Sequence, residues 1–111
     1  MAVKQKTGLD YFPLDIDFFN DEKIEFVAAR FGTKGELIAI KLLCKIYRNG
    51  YYSDWNEDDA IMFAKRVGDG VTAALVNDVV NELAKRDFFN KDILCRFKIL
   101  TSPGIQKRYL D

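Results

Sequence analysis

Apolar positions recur at helical spacing through most of this chain, and polar punctuation marks where each run begins and ends. Ile24, Val27, Ala28 and Phe31 follow the i, i+3, i+4, i+7 rule of one helical face. Asn20 or Asp21 is placed to cap this first helix, and Gly32 to stop it. Thr33 and Glu36 form a capping-box pair ahead of a second helix that runs to about Asn49, where Gly50 ends it. Leu37, Ile38, Ile40, Leu42, Leu43, Ile46 and Tyr47 cover a wide arc of that helix, which predicts the centre of the core. Tyr51-Tyr52-Ser53 reads as a short strand. A third helix is expected from Asn56 through Val67, with Asp58 and Asp59 in its first turn, where the helix dipole favours acids. Gly68-Asp69-Gly70 is a turn.

The stretch Val71–Arg96 carries most of the topological information. Leu75, Val76, Val79, Val80 and Leu83 give a fourth helix from Val71 to Arg86. Two short apolar runs follow, Phe88–Phe89 and Ile93–Leu94, separated by the turn-like Asn90-Lys91-Asp92. A helix feeding a tight two-stranded ribbon is the arrangement by which a winged helix presents its recognition helix and wing. After Ile99-Leu100-Thr101, Ser102 as cap and Pro103 at the first helical position start a last helix. The expected fold is therefore mainly α (α+β), a winged helix-turn-helix with an extra N-terminal helix and a C-terminal helix. Generic α+β packing fits the same string of elements. Residues 1–10 read as a loose tail and 11–111 as the domain. The last helix stops at Asp111 after barely two turns, so the domain is expected to be the N-terminal part of a longer protein.

Composition narrows the function. Hydrophobic residues make up 49% of the 111 positions, so a packed globule is expected rather than disorder. Seventeen basic and seventeen acidic residues cancel, so any nucleic-acid contact needs local clustering. There is no histidine, which removes Ser-His-Asp and Cys-His catalysis and most zinc chemistry. Cys44 and Cys95 read as reduced core thiols. With no secretory signal and no long apolar run, a cytoplasmic, non-membrane protein is expected. No enzyme activity, cofactor or metal is expected. Gly68-Asp-Gly70-Val-Thr-Ala73 fits a loose dinucleotide pattern but follows a helix rather than a strand. Asp54-Trp-Asn56-Glu-Asp58 begins like a calcium loop, but Asp59 and Lys65 stand where Gly and Glu are needed.

Four phrases together resemble a known family: Gly8-Leu-Asp-Tyr-Phe-Pro-Leu-Asp-Ile-Asp-Phe-Phe19, Ala29-Arg-Phe-Gly-Thr-Lys-Gly-Glu36, Leu42-Leu-Cys-Lys-Ile-Tyr-Arg-Asn-Gly-Tyr51 and Ile99-Leu-Thr-Ser-Pro-Gly-Ile-Gln-Lys-Arg-Tyr109. They are similar to the N-terminal domain of phage-type replisome organisers, a DnaD-like group of replication proteins. The resemblance implies a winged helix, a linker and C-terminal part beyond it, and a role in replication initiation on phage or mobile-element DNA. It also implies DNA, other replication proteins such as a helicase or loader, and further copies of the chain as partners. DnaD-like N-terminal domains are oligomerisation modules too, so a scaffold without direct DNA contact stays open.

Three sets of side chains are candidates. Asn77, Asn81 and Lys85 form an i, i+4, i+8 row on the fourth helix, suited to base edges in a major groove, though Asp78 and Glu82 beside them would repel phosphate. Arg86, Lys91, Arg96 and Lys98 would add phosphate contacts around the wing, with Lys107, Arg108, Lys4 and Lys6 further out. Partner contact is expected instead at Phe26 and Trp55, the aromatics most expected to be exposed. The second-helix row Lys34, Lys41, Lys45 and Arg48 is expected to pair with Asp21, Glu22 and Glu25, within the domain or between chains.

Overall fold

The computed structural model describes residues 8–110 and the side chains of residues 8–106. The basic side chains of Lys4, Lys6, Lys107 and Arg108 lie outside the described residues. A 3-10 turn, Phe18–Asn20, leads into the longest helix, α1 (Glu22–Asn49). The Asp21 carboxylate accepts from the Lys23 N–H at 2.8 Å and caps it. Gly32 breaks α1 into two arms, with φ 71° and ψ −160°, a conformation open almost only to glycine. The first two helices read from the sequence are therefore two arms of one kinked element. The chain continues through β1 (Ser53–Asp54), α2 (Glu57–Val67), α3 (Ala73–Lys85), α4 (Lys91–Phe97), β2 (Ile99–Leu100) and α5 (Pro103–Leu110).

The core lies where α1 crosses α3. Ile24 and Val27 from the first arm, and Ile38, Leu42, Leu43, Ile46 and Tyr47 from the second, meet Val76, Val79, Val80 and Leu83 of α3. Of the wide apolar arc expected at the centre of the core, the five from the second arm are buried, whereas Ile40 is partly buried and Leu37 faces solvent. Asn56 and Asp59 exchange hydrogen bonds as a capping box that fixes the start of α2, and Thr72 caps α3. The N-terminal segment is held by the Leu9 N–H donating to the Tyr47 carbonyl at 2.9 Å and by Phe12 stacking on the Tyr47 ring. Gly8 lies so close to the Arg48 carbonyl that a Cβ there would overlap it.

The architecture is mainly helical with one small sheet. β1 and β2 pair antiparallel, Ser53 opposite Leu100 and Asp54 opposite Ile99, so β1 shares only Ser53 with the strand expected at Tyr51–Ser53. The expected ribbon is not formed. Where Ile93–Leu94 was to be its second strand, Lys91–Phe97 is the helix α4. The residue read as a turn, Asn90, is its N-cap, accepting from the Ile93 N–H at 3.0 Å. Asn is equally at home in a turn and at a cap, because in both its side chain replaces a missing backbone partner. Helix formation also puts Ile93, Leu94 and Phe97 on neighbouring positions of one turn. The Asn90 N–H donates to the Thr101 carbonyl at 2.8 Å, which ties the start of α4 to the residue that follows β2.

Asn90→Ala is expected to cost about 1 kcal/mol, the usual loss of an N-cap. Amide exchange should speed up mainly over residues 91–97, and faster exchange confined to residues 88 and 89 would argue for a strand there instead.

Candidate functional site

Three concave surfaces hold most of the predicted site residues. The first is a cleft of about 580 Å³ between the first arm of α1 and the end of α3, lined by Asp21, Glu22, Lys23, Phe26, Lys85 and Arg86. Behind it lies Glu82, only 5% exposed although it was expected on the solvated face. Its two carboxylate oxygens are divided between helices: Arg30 Nε lies 2.9 Å from Oε1, and Arg86 Nε 2.7 Å from Oε2. The Arg86 guanidinium also lies 3.6 Å from the centre of the Phe26 ring. A cation over an aromatic face adds roughly 0.5–1 kcal/mol at a surface. Arg86, expected at phosphate, thus has two structural contacts, one on each of two helices. Lys85 beside it is exposed. Phe26 is exposed as expected, at 40%.

The second is a groove of about 510 Å³ between α3, α4 and the start of α2, lined by Trp55, Asn56, Glu57, Asn77, Val80, Asn81, Leu94, Cys95 and Lys98. Asn77, Asn81 and Lys98 do converge here. Asn77 is engaged, however: its Oδ1 accepts from Trp55 Nε1 at 3.2 Å. Trp55, expected to be exposed, is buried at 5% and packs edge-on against Phe63. The indole thus contacts both α2, through Phe63, and α3, where Asn77 satisfies its N–H. Cys95, expected in the core, is exposed on α4. Lys91 lies apart, in a concavity with Asp87, Phe89, Asn90, Asp92 and Pro103, and Arg96 is exposed on α4. The cations Lys85, Lys91, Arg96 and Lys98 are thus dispersed, with exposed Asp78, Asp87 and Asp92 among them.

The third concavity, about 260 Å³, is lined by Lys45, Arg48, Asn49, Ser53, Asp54, Asp59 and Arg66. Sequence reasoning missed Arg66, although its place in the last turn of an amphipathic helix was a signal. Among the described residues, ion pairs join Arg30 and Arg86 to Glu82, not the Lys34, Lys41, Lys45 and Arg48 row to Asp21, Glu22 or Glu25. Lys34 instead reaches toward the turn at Gly70.

The N-terminal segment exposes several large apolar side chains, as do Ile61 and Met62 of α2 and Phe97 at the end of α4. Tyr11 is 85% and Ile16 95% exposed, and Leu14 and Phe19 also face solvent. Among the described residues no group of His, Cys, Asp and Glu could hold a metal ion, and no helix is long and apolar enough to cross a membrane.

Comparison with known proteins gives one family and one relative. The model of the Lin1244/Lin1753-like, N-terminal family matches residues 11–105. The chain is 44% identical over 109 residues to an uncharacterized phage-related protein Lin1244/Lin1753 of Listeria innocua serovar 6a. The aligned region covers 98% of this chain and 35% of the relative, so the chain spans about a third of that protein's length. No solved structure matches.

Proposed function

The chain belongs to the Lin1244/Lin1753-like, N-terminal family, and on that premise we propose that it is the replisome-assembly domain of a phage replication-initiation protein. It acts in the cytoplasm by protein–protein contact rather than by catalysis, and its first partner is another copy of the same chain. The observation that carries this reading is the apolar surface of residues 11–19 together with Phe26. Soluble monomers rarely leave large apolar side chains grouped in this way, and exposed aromatics are the residues that anchor interfaces. The phage-related name of the relative supports the setting. The likeness of Gly8–Phe19 and Ala29–Glu36 to DnaD-like replisome organisers supports replication within it.

On this reading the fold is a winged-helix variant in which α2 and α3 form the helix-turn-helix and α4 replaces the wing. A second reading, duplex DNA bound across α3 and α4, is favoured by the convergence of Asn81 and Lys98 in one groove. It is weakened by the engagement of Asn77 and Arg86 and by the acids among the remaining cations. Size-exclusion light scattering tests the assembly reading. The unaltered chain is expected to run above monomer mass, and Phe26→Ser to lower that mass. An unaltered mass in the variant, with duplex binding that depends on Asn81 and Lys98, would favour the second reading.

A further inference from the structure

The third concavity has chemistry that neither reading uses. Lys41, Lys45 and Arg48 lie at i, i+4 and i+7 on one side of α1, and Arg66 from the last turn of α2 joins the last two across the concavity. None of the four has an ion-pair partner among the described residues. The helix dipole accounts for a cation at each helix end, Arg48 and Arg66, but not for Lys41 and Lys45 in mid-helix. From the rise of an α-helix, Lys41 and Lys45 stand about 6 Å apart along the axis and Lys45 and Arg48 about 4.5 Å. This row runs directly into an aromatic corner. Tyr51 and Tyr52 follow Gly50, their rings 5.3 Å apart and edge-to-face. Their backbone is pinned on both sides: Asn49 Nδ2 donates to the Tyr52 carbonyl at 2.7 Å, and Thr101 Oγ1 to the Tyr51 carbonyl at 2.6 Å. Asn49 and Ser53, which flank this corner in the chain, both line the concavity, and Tyr52 between them is 39% exposed.

We propose that this strip binds single-stranded nucleic acid, with Lys41, Lys45, Arg48 and Arg66 following the phosphates and Tyr52 stacking on a base. A cationic track beside a rigid aromatic is the combination that holds single strands without sequence readout. Asp54 and Asp59 share the concavity, and Asp59 is already occupied by the Asn56 N–H. The three cations there still outnumber the two carboxylates. An acidic protein surface, such as residues 10–25 of a second copy, is the competing occupant. It is less favoured because its carboxylates have local work: Asp21 caps α1, and Asp15 accepts from the Asp17 N–H.

The test is binding of fluorescein-labelled oligo(dT) to the 111-residue chain over a series of salt concentrations, with light scattering alongside. Replacing Lys41, Lys45, Arg48 and Arg66 by Gln should reduce the slope of log affinity against log salt by about 3, at roughly 0.7 per phosphate lost. Lys41→Gln with Lys45→Gln alone, away from both helix ends, should give about half that change. Tyr52→Ala should weaken binding about tenfold with the slope unchanged. Three results would overturn the proposal. The unaltered chain could fail to bind the oligonucleotide. The slope could respond only to Gln at Lys85, Lys91, Arg96 and Lys98, which would place the contact on α3 and α4. The strip variant could keep its affinity and lose assembly mass, which would make the strip a contact between copies. The assembly reading stands or falls separately, on the mass of the unaltered chain.

Discussion

Phe89→Ala is expected to destabilise the domain by about 3–5 kcal/mol, the range for removing a buried aromatic from a packed core. Phe89 has no exposed surface and belongs to the same core as α1 and α3. It is followed at once by the Asn90 bond to Thr101, which fixes its backbone beside β2. The surroundings therefore have little freedom to collapse into the space left behind. Against a typical domain stability of about 5–15 kcal/mol, this loss removes a large share. Phe88, edge-on to Phe89 at 5.2 Å between ring centres, is only half-buried, and Phe88→Ala should cost clearly less. Urea unfolding followed by circular dichroism measures both. Equal and small losses would mean that the chain between α3 and α4 does not pack as described.

The second large effect is at Glu82. Glu82→Ala is expected to cost about 2–3 kcal/mol, somewhat below the figure of about 3–5 kcal/mol for breaking a fully buried pair. The reduction follows from the partners. The Arg30 side chain is 61% exposed and returns easily to water, whereas Arg86 is 25% exposed and remains beside Phe26 without its carboxylate. Arg30→Ala should cost no more than about 1 kcal/mol, as for exposed ion pairs, and Arg86→Ala should fall between the two. This ordering, read from urea midpoints, separates a buried carboxylate held by two helices from a surface ion pair. If Glu82→Ala were as mild as Arg30→Ala, the carboxylate would be solvated and the link between α1 and α3 weak.

The helices were legible because their signals are local. Asp21, Asn56 and Ser102 announce their caps through a side-chain oxygen followed by helical spacing, and the core faces of α1 and α3 repeat every three to four residues. What the sequence concealed depends on residues brought together by folding. Asn90 carries a cap signal that is also a turn signal, and only the helical spacing of Ile93, Leu94 and Phe97 after it distinguishes the two. Trp55 sits among polar residues, and its burial depends on Asn77 from another helix. Glu82 looked like a solvated acid because its first partner, Arg30, lies on a helix far upstream. The same three facts redistributed the candidate site. Asn77 and Arg86 have structural partners, while Phe26 and the apolar residues of the N-terminal segment face solvent.

On the proposed reading this N-terminal surface joins copies of the chain. Sedimentation velocity of the unaltered chain, compared with a variant carrying Tyr11→Ser, Ile16→Ser and Phe19→Ser, tests it most directly. The expected result is a sedimentation coefficient that rises with concentration for the unaltered chain, and a monomer at every concentration for the variant with its helical circular-dichroism signal retained. A single monomeric species for both, across the whole concentration range, would contradict it.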